Sequence, residues 1–453
     1  MNDIPNSLAG RDLAHVLHPY TNARAHERNG PVVLARGQGV HVFDDADREY
    51  IEAMSGLWSV ALGFSEPRLV EAATRQLQTL PFMHTFSGKS HEPSILLAEK
   101  LCAMTGLDRV FFTNSGSEAN DTVIKMVWFR NNAIGKPEKK KFIARLNGYH
   151  GVTVASASLT GLPGNHRGFD LPLPFVHHVT TPHHYRFADE GESEEAFATR
   201  LAEELEAKIV AEGPETVAAF IGEPVIGAGG VLVPPKGYWE KVQAVCRKYD
   251  VLVVADEVIC GFGRTGRMFG SQTFGIEPDI MVLSKQITSS YQPLAAVVFR
   301  DAIYQDIADG SAALGTFGHG YTASGHPVAT AVGLENLAII EERGLVDHAA
   351  AMGEVLRAGL AKWQDHPMVG EVRGVGLIAA VEFVADKQTR AKFDPIGKFG
   401  QEVFRVGHEH GLIIRAIGDT IAFCPPLIIT EEEVHELLRR FEATVRQVAA
   451  TCR

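Results

Sequence analysis

Val251-Leu-Val-Val-Ala255, which runs into Asp256-Glu257-Val258, and Ile280-Met-Val-Leu-Ser284, which runs into Lys285, decide how this chain is read. A short apolar run rich in β-branched residues predicts a strand buried on both faces, the habit of a parallel sheet. Sheets of that kind gather ligands at the carboxyl ends of their strands. Two such strands would deliver the Asp256 carboxylate and the Lys285 amine to one rim from a rigid base. Acids and lysines at strand ends more often only mark the return to solvent, so the pair needs support from the rest of the chain.

The 453 residues suffice for two or three domains and a large core. With 45% hydrophobic and 22% charged residues, the composition is that of an ordinary globular protein. A net charge of -12 argues against binding to nucleic acid or an anionic membrane, because both need a basic face. The densest basic run, Lys139-Lys-Lys141, follows Gly135-Lys-Pro137 and reads as the top of a solvated loop. Cys102, Cys246, Cys260, Cys424 and Cys452 are odd in number, widely spaced and without a C-x-x-C pair. That pattern predicts reduced thiols and neither a disulfide frame nor a zinc site, and no metal is expected. The start of the chain lacks a signal-peptide pattern, and no apolar run reaches membrane-spanning length, so a cytoplasmic protein is expected.

Around the two strands the chain alternates helix and strand. Residues 31–52 read as a β-meander, with turn residues at Gly37-Gln-Gly39 and Asp44-Asp-Ala-Asp47. From about residue 68 the pattern becomes α/β: a helix over Pro93–Met104, a strand over Arg109–Phe112, and a small-residue turn, Thr113-Asn-Ser-Gly-Ser117, before a helix over Glu118–Phe129. A strand, a small-residue turn and a helix N-terminus together form an anion site, since unpaired N–H groups and the helix dipole point at whatever binds there. Asn147-Gly-Tyr-His-Gly151 offers a flat side chain between glycines, on which a ring can stack. His177-His178 and His183-His184 lack the i, i+4 spacing of a helical metal pair and read as surface or packing residues. A helix with an acidic start ends near residue 211, Ala218–Ile221 reads as a strand leading to Gly222-Glu223-Pro224, and Tyr238–Tyr249 as a helix. Right-handed crossovers and a mainly parallel sheet follow from that alternation.

Gly261-Phe-Gly-Arg-Thr-Gly266 matches the dinucleotide fingerprint, but Asp256–Cys260 separate it from the strand and no helical stripe follows. It is read as a flexible loop. Further strands and helices are predicted at Ala295–Phe299, Pro327–Glu342 and Leu377–Val384, with a hairpin joining Leu412–Arg415 to Thr420–Phe423. Thr430 and Glu433 make a capping box for a last helix with Val434, Leu437, Leu438 and Phe441 on its apolar face. A lysine for a Schiff base, an acid to keep a ring nitrogen protonated, a phosphate cradle and a stacking ring are together what pyridoxal phosphate (PLP) requires.

Asn114-Ser-Gly-Ser-Glu-Ala-Asn120, Tyr149-His150-Gly151, Asp256-Glu257-Val258 with the Gly261–Gly266 loop, Ser284-Lys285 and Gly320-Tyr-Thr-Ala-Ser-Gly-His-Pro327 resemble, in order, the motifs of class III aminotransferases of PLP fold type I. Among these the chain looks most like ω-amino acid:pyruvate and amine:pyruvate transaminases. The resemblance implies an α/β fold with a large PLP-binding domain over residues 68–325. A smaller α+β domain would form from both termini, residues 1–67 and 326–453. It implies that Lys285 carries PLP and Asp256 pairs with its ring nitrogen. Ser115, Gly116 and Ser117 would hold the phosphate, with Thr322 reaching it from the other subunit of a homodimer or dimer of dimers. Tyr149 would stack on one ring face and Val258 on the other, with His150 and Glu223 completing the cofactor site. Tyr20, Leu57, Trp58, Phe86 from the partner, Ala228, Ile259 and Arg415 would line the substrate pocket. Without the resemblance, Trp58 reads simply as a core aromatic.

Two positions depart from relatives that act on γ-aminobutyrate or ornithine: Ala228 stands where they have glutamate, and Ile259 where they have glutamine. Both changes remove polar groups beside the cofactor. The expected activity is ping-pong transfer of an amino group from an ω-amino acid or primary amine to pyruvate through pyridoxamine phosphate, with Lys285 as general base and acid. Transamination of γ-aminobutyrate or a diamine, and an aminomutase on the same scaffold, are the alternatives. A binding protein without turnover and a nicotinamide dehydrogenase are the readings from other classes.

Overall fold

The computed structural model describes residues 6–451, which leaves Cys452 outside the described residues. Its centre is a seven-stranded sheet. In spatial order the strands are Arg109–Thr113, Ala295–Phe299, Ile280–Leu283, Leu252–Asp256, Val217–Gly222, Lys141–Arg145 and Val176–Val179. Only the Ala295–Phe299 strand runs against its neighbours; the ladder from Ile280–Leu283 to Val176–Val179 is parallel throughout. Ile280–Leu283, Val217–Gly222 and Ala295–Phe299 are buried at every position, which explains why their sequences show no polar alternation.

The alternate residues of these strands build separate cores. Val254, Ile280 and Val282 pack with Val123, Ile124 and Val127 of the Gly116–Ala133 helix. Val253 and Ala255 pack against Val242 and Cys246 of the Tyr238–Lys248 helix and Phe197 and Leu201 of the Glu194–Glu212 helix. Each such side chain removed from water contributes roughly 1.5–3 kcal/mol. A charge at Val254 would therefore disrupt the floor on which Asp256 stands.

Two four-stranded sheets flank this layer. One joins Leu34–Gln38, His41–Asp44 and Glu49–Glu52 to Leu412–Ile413, so both ends of the chain share a sheet. The other orders Val369–Val375, Ile378–Phe383, Thr420–Phe423 and Arg415–Ile417. Several expectations shift here. The first meander strand lies at Leu34–Gln38, so Gly37 belongs to a strand and not to a turn. Residues 412–417 form two strands in different sheets, because the chain crosses from the Glu49–Glu52 partner to the Thr420–Phe423 partner at Ile414. A strand that the sequence reading did not place, Val369–Val375, precedes Ile378–Phe383 and carries Arg373. The Thr430 and Glu433 capping box forms as expected, each backbone N–H donating to the other's side chain.

The Gly261–Gly266 loop is not flexible. Residues 261–265 are buried, and the Arg264 guanidinium donates to the carbonyls of Leu377 and Pro425, to Ser55 Oγ and to Gln286 Oε1. Four hydrogen bonds from one buried cation pin it in place. The helix after the loop, Gly270–Phe274, is short and starts beyond Gly266, so no phosphate-binding helix opens from the fingerprint.

Candidate active site

Asp256 ends its strand and pairs in register with Val282, three residues before Lys285 on the adjacent parallel strand. Both groups therefore emerge at the carboxyl rim, where Glu223, the Tyr149 loop and the Thr113–Ser117 turn also follow their strands. Lys285 opens a tight turn, Lys285–Thr288, with a left-handed φ of +47°. A non-glycine residue in that region is strained and persists only where its surroundings hold it. The hold is Gln286, whose Nε2 donates to the carbonyls of Ile259 and Gly261 while its own carbonyl accepts from Asn336 Nδ2. Burial lowers the Lys285 pKa, with the Asp256 and Glu223 carboxylates opposing and Arg415 assisting that shift. A larger share of neutral amine makes a better nucleophile toward an aldehyde.

Asp256 is buried and its Oδ2 faces His150 Nδ1 at 2.7 Å and Asn120 Nδ2 at 3.0 Å. Oδ1 accepts the Val258 N–H at 3.2 Å. Both carboxylate oxygens therefore have partners, which holds the group in one orientation at the rim. Asn120 also donates to the His150 carbonyl, fixing the loop that carries the imidazole to the helix. Asn120 received no role from sequence; its position one helical turn beyond Gly116 is the signal that could have found it.

The turn before the Gly116–Ala133 helix has the geometry of an anion cradle. Ser115 caps the helix by accepting Glu118 N–H at 3.2 Å, which leaves the first N–H groups, those of Gly116 and Ser117, without helical partners. A Cβ on Gly116 would touch the two Val258 methyls at 3.4 and 3.5 Å, so the turn runs directly beside Val258. Gly151, at φ +128°, approaches the same turn: a Cβ there would lie 2.6 Å from Ser117 Oγ. Glu223 braces the opposite side, its Oε1 accepting Tyr149 N–H at 2.9 Å and its Oε2 accepting Gly227 N–H at 3.0 Å. Burial raises the Glu223 carboxyl pKa.

The remaining positions form a wall. Trp58 and Ile259 are buried in one apolar cluster with Met54, Val225 and Cys424, while Ala228 is partly exposed. Leu57 and Tyr20 are exposed, and Tyr20 Oη accepts from Asn165 Nδ2 at 2.6 Å. Arg415 is half-buried, with the phenols of Tyr149 and Tyr20 as its electrostatic neighbours. Burial lowers its pKa, and among the described residues no carboxylate lies within salt-bridge distance of it. Phe86 and Thr322 lie apart from this group. Phe86 packs against Gly320, two residues from Thr322, and both side chains are exposed.

His177 pairs with Glu212, His183 with Glu371, and His178 with the Leu159 carbonyl, so these histidines pack in structural contacts. His183, Glu371 and Glu382 lie close enough together to suggest a metal site, but Arg373 Nη1 already bridges both carboxylates at 2.6 Å.

A strained lysine, a carboxylate on the adjacent strand, a helix N-terminus with free N–H groups and a tyrosine at the rim together fit PLP. The Aminotransferase class-III family profile matches residues 22–445. Gamma aminobutyrate transaminase 1, mitochondrial, of Solanum lycopersicum is 48% identical over 98% of this chain and 88% of its own. The omega transaminase of Pseudomonas jessenii, solved with PMP bound, is 64% identical, covers 98% of this chain and 99% of its own, and superposes with a TM-score of 0.97. A thermostable omega transaminase variant with tryptophan replaced by glycine, engineered for asymmetric synthesis of enantiopure bulky amines, has the same TM-score and coverages at 65% identity. The fold and the site define a PLP-dependent transaminase of fold type I. The chain belongs to the class III aminotransferases.

Proposed function

We propose that this transaminase moves the amino group of an ω-amino acid or primary amine to pyruvate. The observation that carries the choice is Arg415: a half-buried guanidinium with two phenols as electrostatic neighbours and, among the described residues, no carboxylate within salt-bridge distance, in a pocket that apolar Trp58, Ala228 and Ile259 would line. A buried cation without a counter-ion favours a substrate that brings one, and a guanidinium fork suits a carboxylate. Pyruvate does so in one half-reaction. In the other, the apolar wall accepts an amine with no carboxylate near its reacting carbon.

When bound, PLP supplies an aldehyde for the amine and a ring that takes up the electron pair of the deprotonated carbon. The protein does the rest. Asp256, held by His150 and Asn120, would pair with the ring nitrogen. The Gly116 and Ser117 N–H groups would hold the phosphate and Tyr149 and Val258 would flank the ring, while Glu223 fixes the Tyr149 backbone. Lys285, its pKa lowered by burial, would take the proton from the substrate carbon and deliver it to the carbon that had been the aldehyde's, on the other side of the transferred nitrogen.

We further propose a homodimer in which Phe86 and Thr322, adjacent and exposed here, complete the partner's site. Domain limits near residues 67 and 325 suit the sheets, and a reducing compartment such as the cytoplasm suits the four described cysteines, all unpaired. No described helix is long and apolar enough to cross a membrane.

The test is a donor panel with pyruvate as acceptor: β-alanine, an aliphatic diamine, γ-aminobutyrate and an arylalkyl amine, with alanine formation as the readout. The proposal expects β-alanine or the arylalkyl amine to lead. The second reading, transamination of γ-aminobutyrate, draws on the tomato relative; it wins if that donor leads by about tenfold or more in kcat/KM.

A further inference from the structure

The backbone at the donor wall is strained. Ser55 has φ +49°, Gly56 +65° and Trp58 +65°, so three of four consecutive residues are left-handed and only one is glycine. Conformations of this kind revert unless fixed from outside. Two side chains do the fixing. Glu52, 3% exposed, accepts the Met54 N–H at 3.2 Å on Oε1 and the Gly56 N–H at 2.5 Å on Oε2, so both carboxylate oxygens face the turn. Arg264 donates to Ser55 Oγ, which itself donates to the Cys424 carbonyl at 2.6 Å. The same Arg264 nitrogen reaches Gln286 Oε1, beside Lys285. One buried cation therefore joins the donor wall to the lysine turn.

We propose that Glu52 and Arg264 are positioning residues that set donor-size selectivity by clamping the Ser55–Trp58 turn, and with it the Trp58 indole, against the site. The proposal rests on Trp58 lining the donor pocket, as put forward above. Neither residue touches the substrate. Their effect passes through the turn.

The clamp needs an acceptor at both Glu52 oxygens. A protonated carboxyl, or an amide, presents a donor to one of the two N–H groups and loosens the turn. Burial raises the Glu52 pKa to about 7, against the pull of those N–H groups and of Arg264. The charged or titratable groups facing it are Arg264, from the Gly261–Gly266 loop, and the Cys424 thiol, from the end of the Thr420–Phe423 strand. The clamp is therefore full above about pH 7 and slackens below it.

The experiment measures kcat/KM of the holoenzyme for β-alanine and for an arylalkyl amine, with pyruvate, from about pH 6 to about pH 9. Glu52→Gln keeps the volume and removes the charge. At about pH 8.5 it should raise the ratio of arylalkyl amine to β-alanine by about threefold or more, with the melting temperature and the β-alanine kcat near those of the parent. The parent ratio should climb toward the variant's as pH falls through 7, and the variant's ratio should vary less with pH than the parent's. A general loss of stability would lower both rates together and leave the ratio unmoved. Trp58→Leu is the control. If Trp58→Leu shifts the ratio and Glu52→Gln leaves it unchanged at every pH, the clamp is overturned and the pocket reading stands. If Trp58→Leu has no effect, the pocket reading falls and takes the clamp with it. Should Glu52→Gln fail to yield holoenzyme, Ser55→Ala decides: it removes the contact with Arg264 and should move the ratio in the same direction, and no change overturns the proposal.

Discussion

The floor of the site and its wall are held in opposite ways. On the floor, Asp256 has His150, Asn120 and the Val258 N–H as partners, and Lys285 rises from a turn locked by Gln286 and Asn336. On the wall, Arg415 has no carboxylate partner among the described residues, and the Trp58 turn is bent into left-handed geometry. A floor with its polar groups satisfied is rigid, as proton transfer at a fixed atom demands. A wall with an unpaired cation and stored strain can take substrates of different charge and size. The function proposed above puts the chemistry in the first region and the selectivity in the second.

If that division is right, damage to the floor should cost far more than damage to the wall. On the proposed roles, Lys285→Ala would remove both the covalent attachment and the general base, and kcat should fall by about four orders of magnitude or more. Borohydride reduction of the parent followed by peptide mapping should place a pyridoxyl group on Lys285. A label on another lysine would refute the assignment. Asp256→Asn keeps the shape of the Asn120 and His150 contacts but removes the charge beneath the ring nitrogen, and should lower kcat about 10²- to 10³-fold with little change in melting temperature. A loss below about tenfold would mean that another group supplies the charge.

The floor was also the part legible in the sequence. Apolar runs rich in β-branched residues and ending in Asp256 and Lys285 predict buried strands, and strand ends in a parallel sheet converge on one rim whatever the loops do. The wall was not legible in this way. The contacts of Glu52 and Arg264 join segments far apart in the chain, such as Ser55 with Cys424, and no local pattern reports them. Leu412–Arg415 reads as one strand, although Leu412–Ile413 and Arg415–Ile417 lie in different sheets, because a period-two pattern does not reveal a change of sheet. Glycine permits mobility, so the Gly261–Gly266 sequence reads as a flexible loop, whereas the buried Arg264 pins it. Asn120 and Glu257 lay within motifs that were recognised, and only the folded geometry shows what their side chains hold.

On the wall, Arg415→Ala should weaken the keto-acid half-reaction alone. Pyruvate kcat/KM should drop about 30- to 100-fold, the worth of one charge-assisted carboxylate contact, while the half-reaction with an arylalkyl amine changes less than about threefold. Single-turnover measurements of each half-reaction separate the two. Equal losses in both would show that Arg415 supports the site as a whole and would erase the contrast between floor and wall.

The smallest effect is expected beneath the floor, at the neighbour of Asp256. Glu257 is fully buried, and its carboxylate accepts Gly270 N–H at 2.9 Å, Ser271 N–H at 2.5 Å and Ser271 Oγ–H at 2.6 Å. Burial outweighs these donors and raises its pKa from 4.5 to about 7. The folded state therefore binds more protons than the unfolded one between those values. Stability from this group is fully present below about pH 4.5 and is lost as pH rises toward 7, by an amount on the order of 3 kcal/mol. Glu257→Gln cannot ionise, so its stability relative to the parent should improve steadily from pH 5 to pH 7.5 in urea titrations of the holoenzyme. The amide's NH₂ meets an N–H donor, a constant penalty of about 1–3 kcal/mol that leaves the slope untouched. Asp256 keeps its own partners throughout, so kcat should move by less than about threefold. A stability difference that stays flat with pH would place the Glu257 carboxyl outside that window, and a large loss of kcat would show that the brace and the floor are one unit.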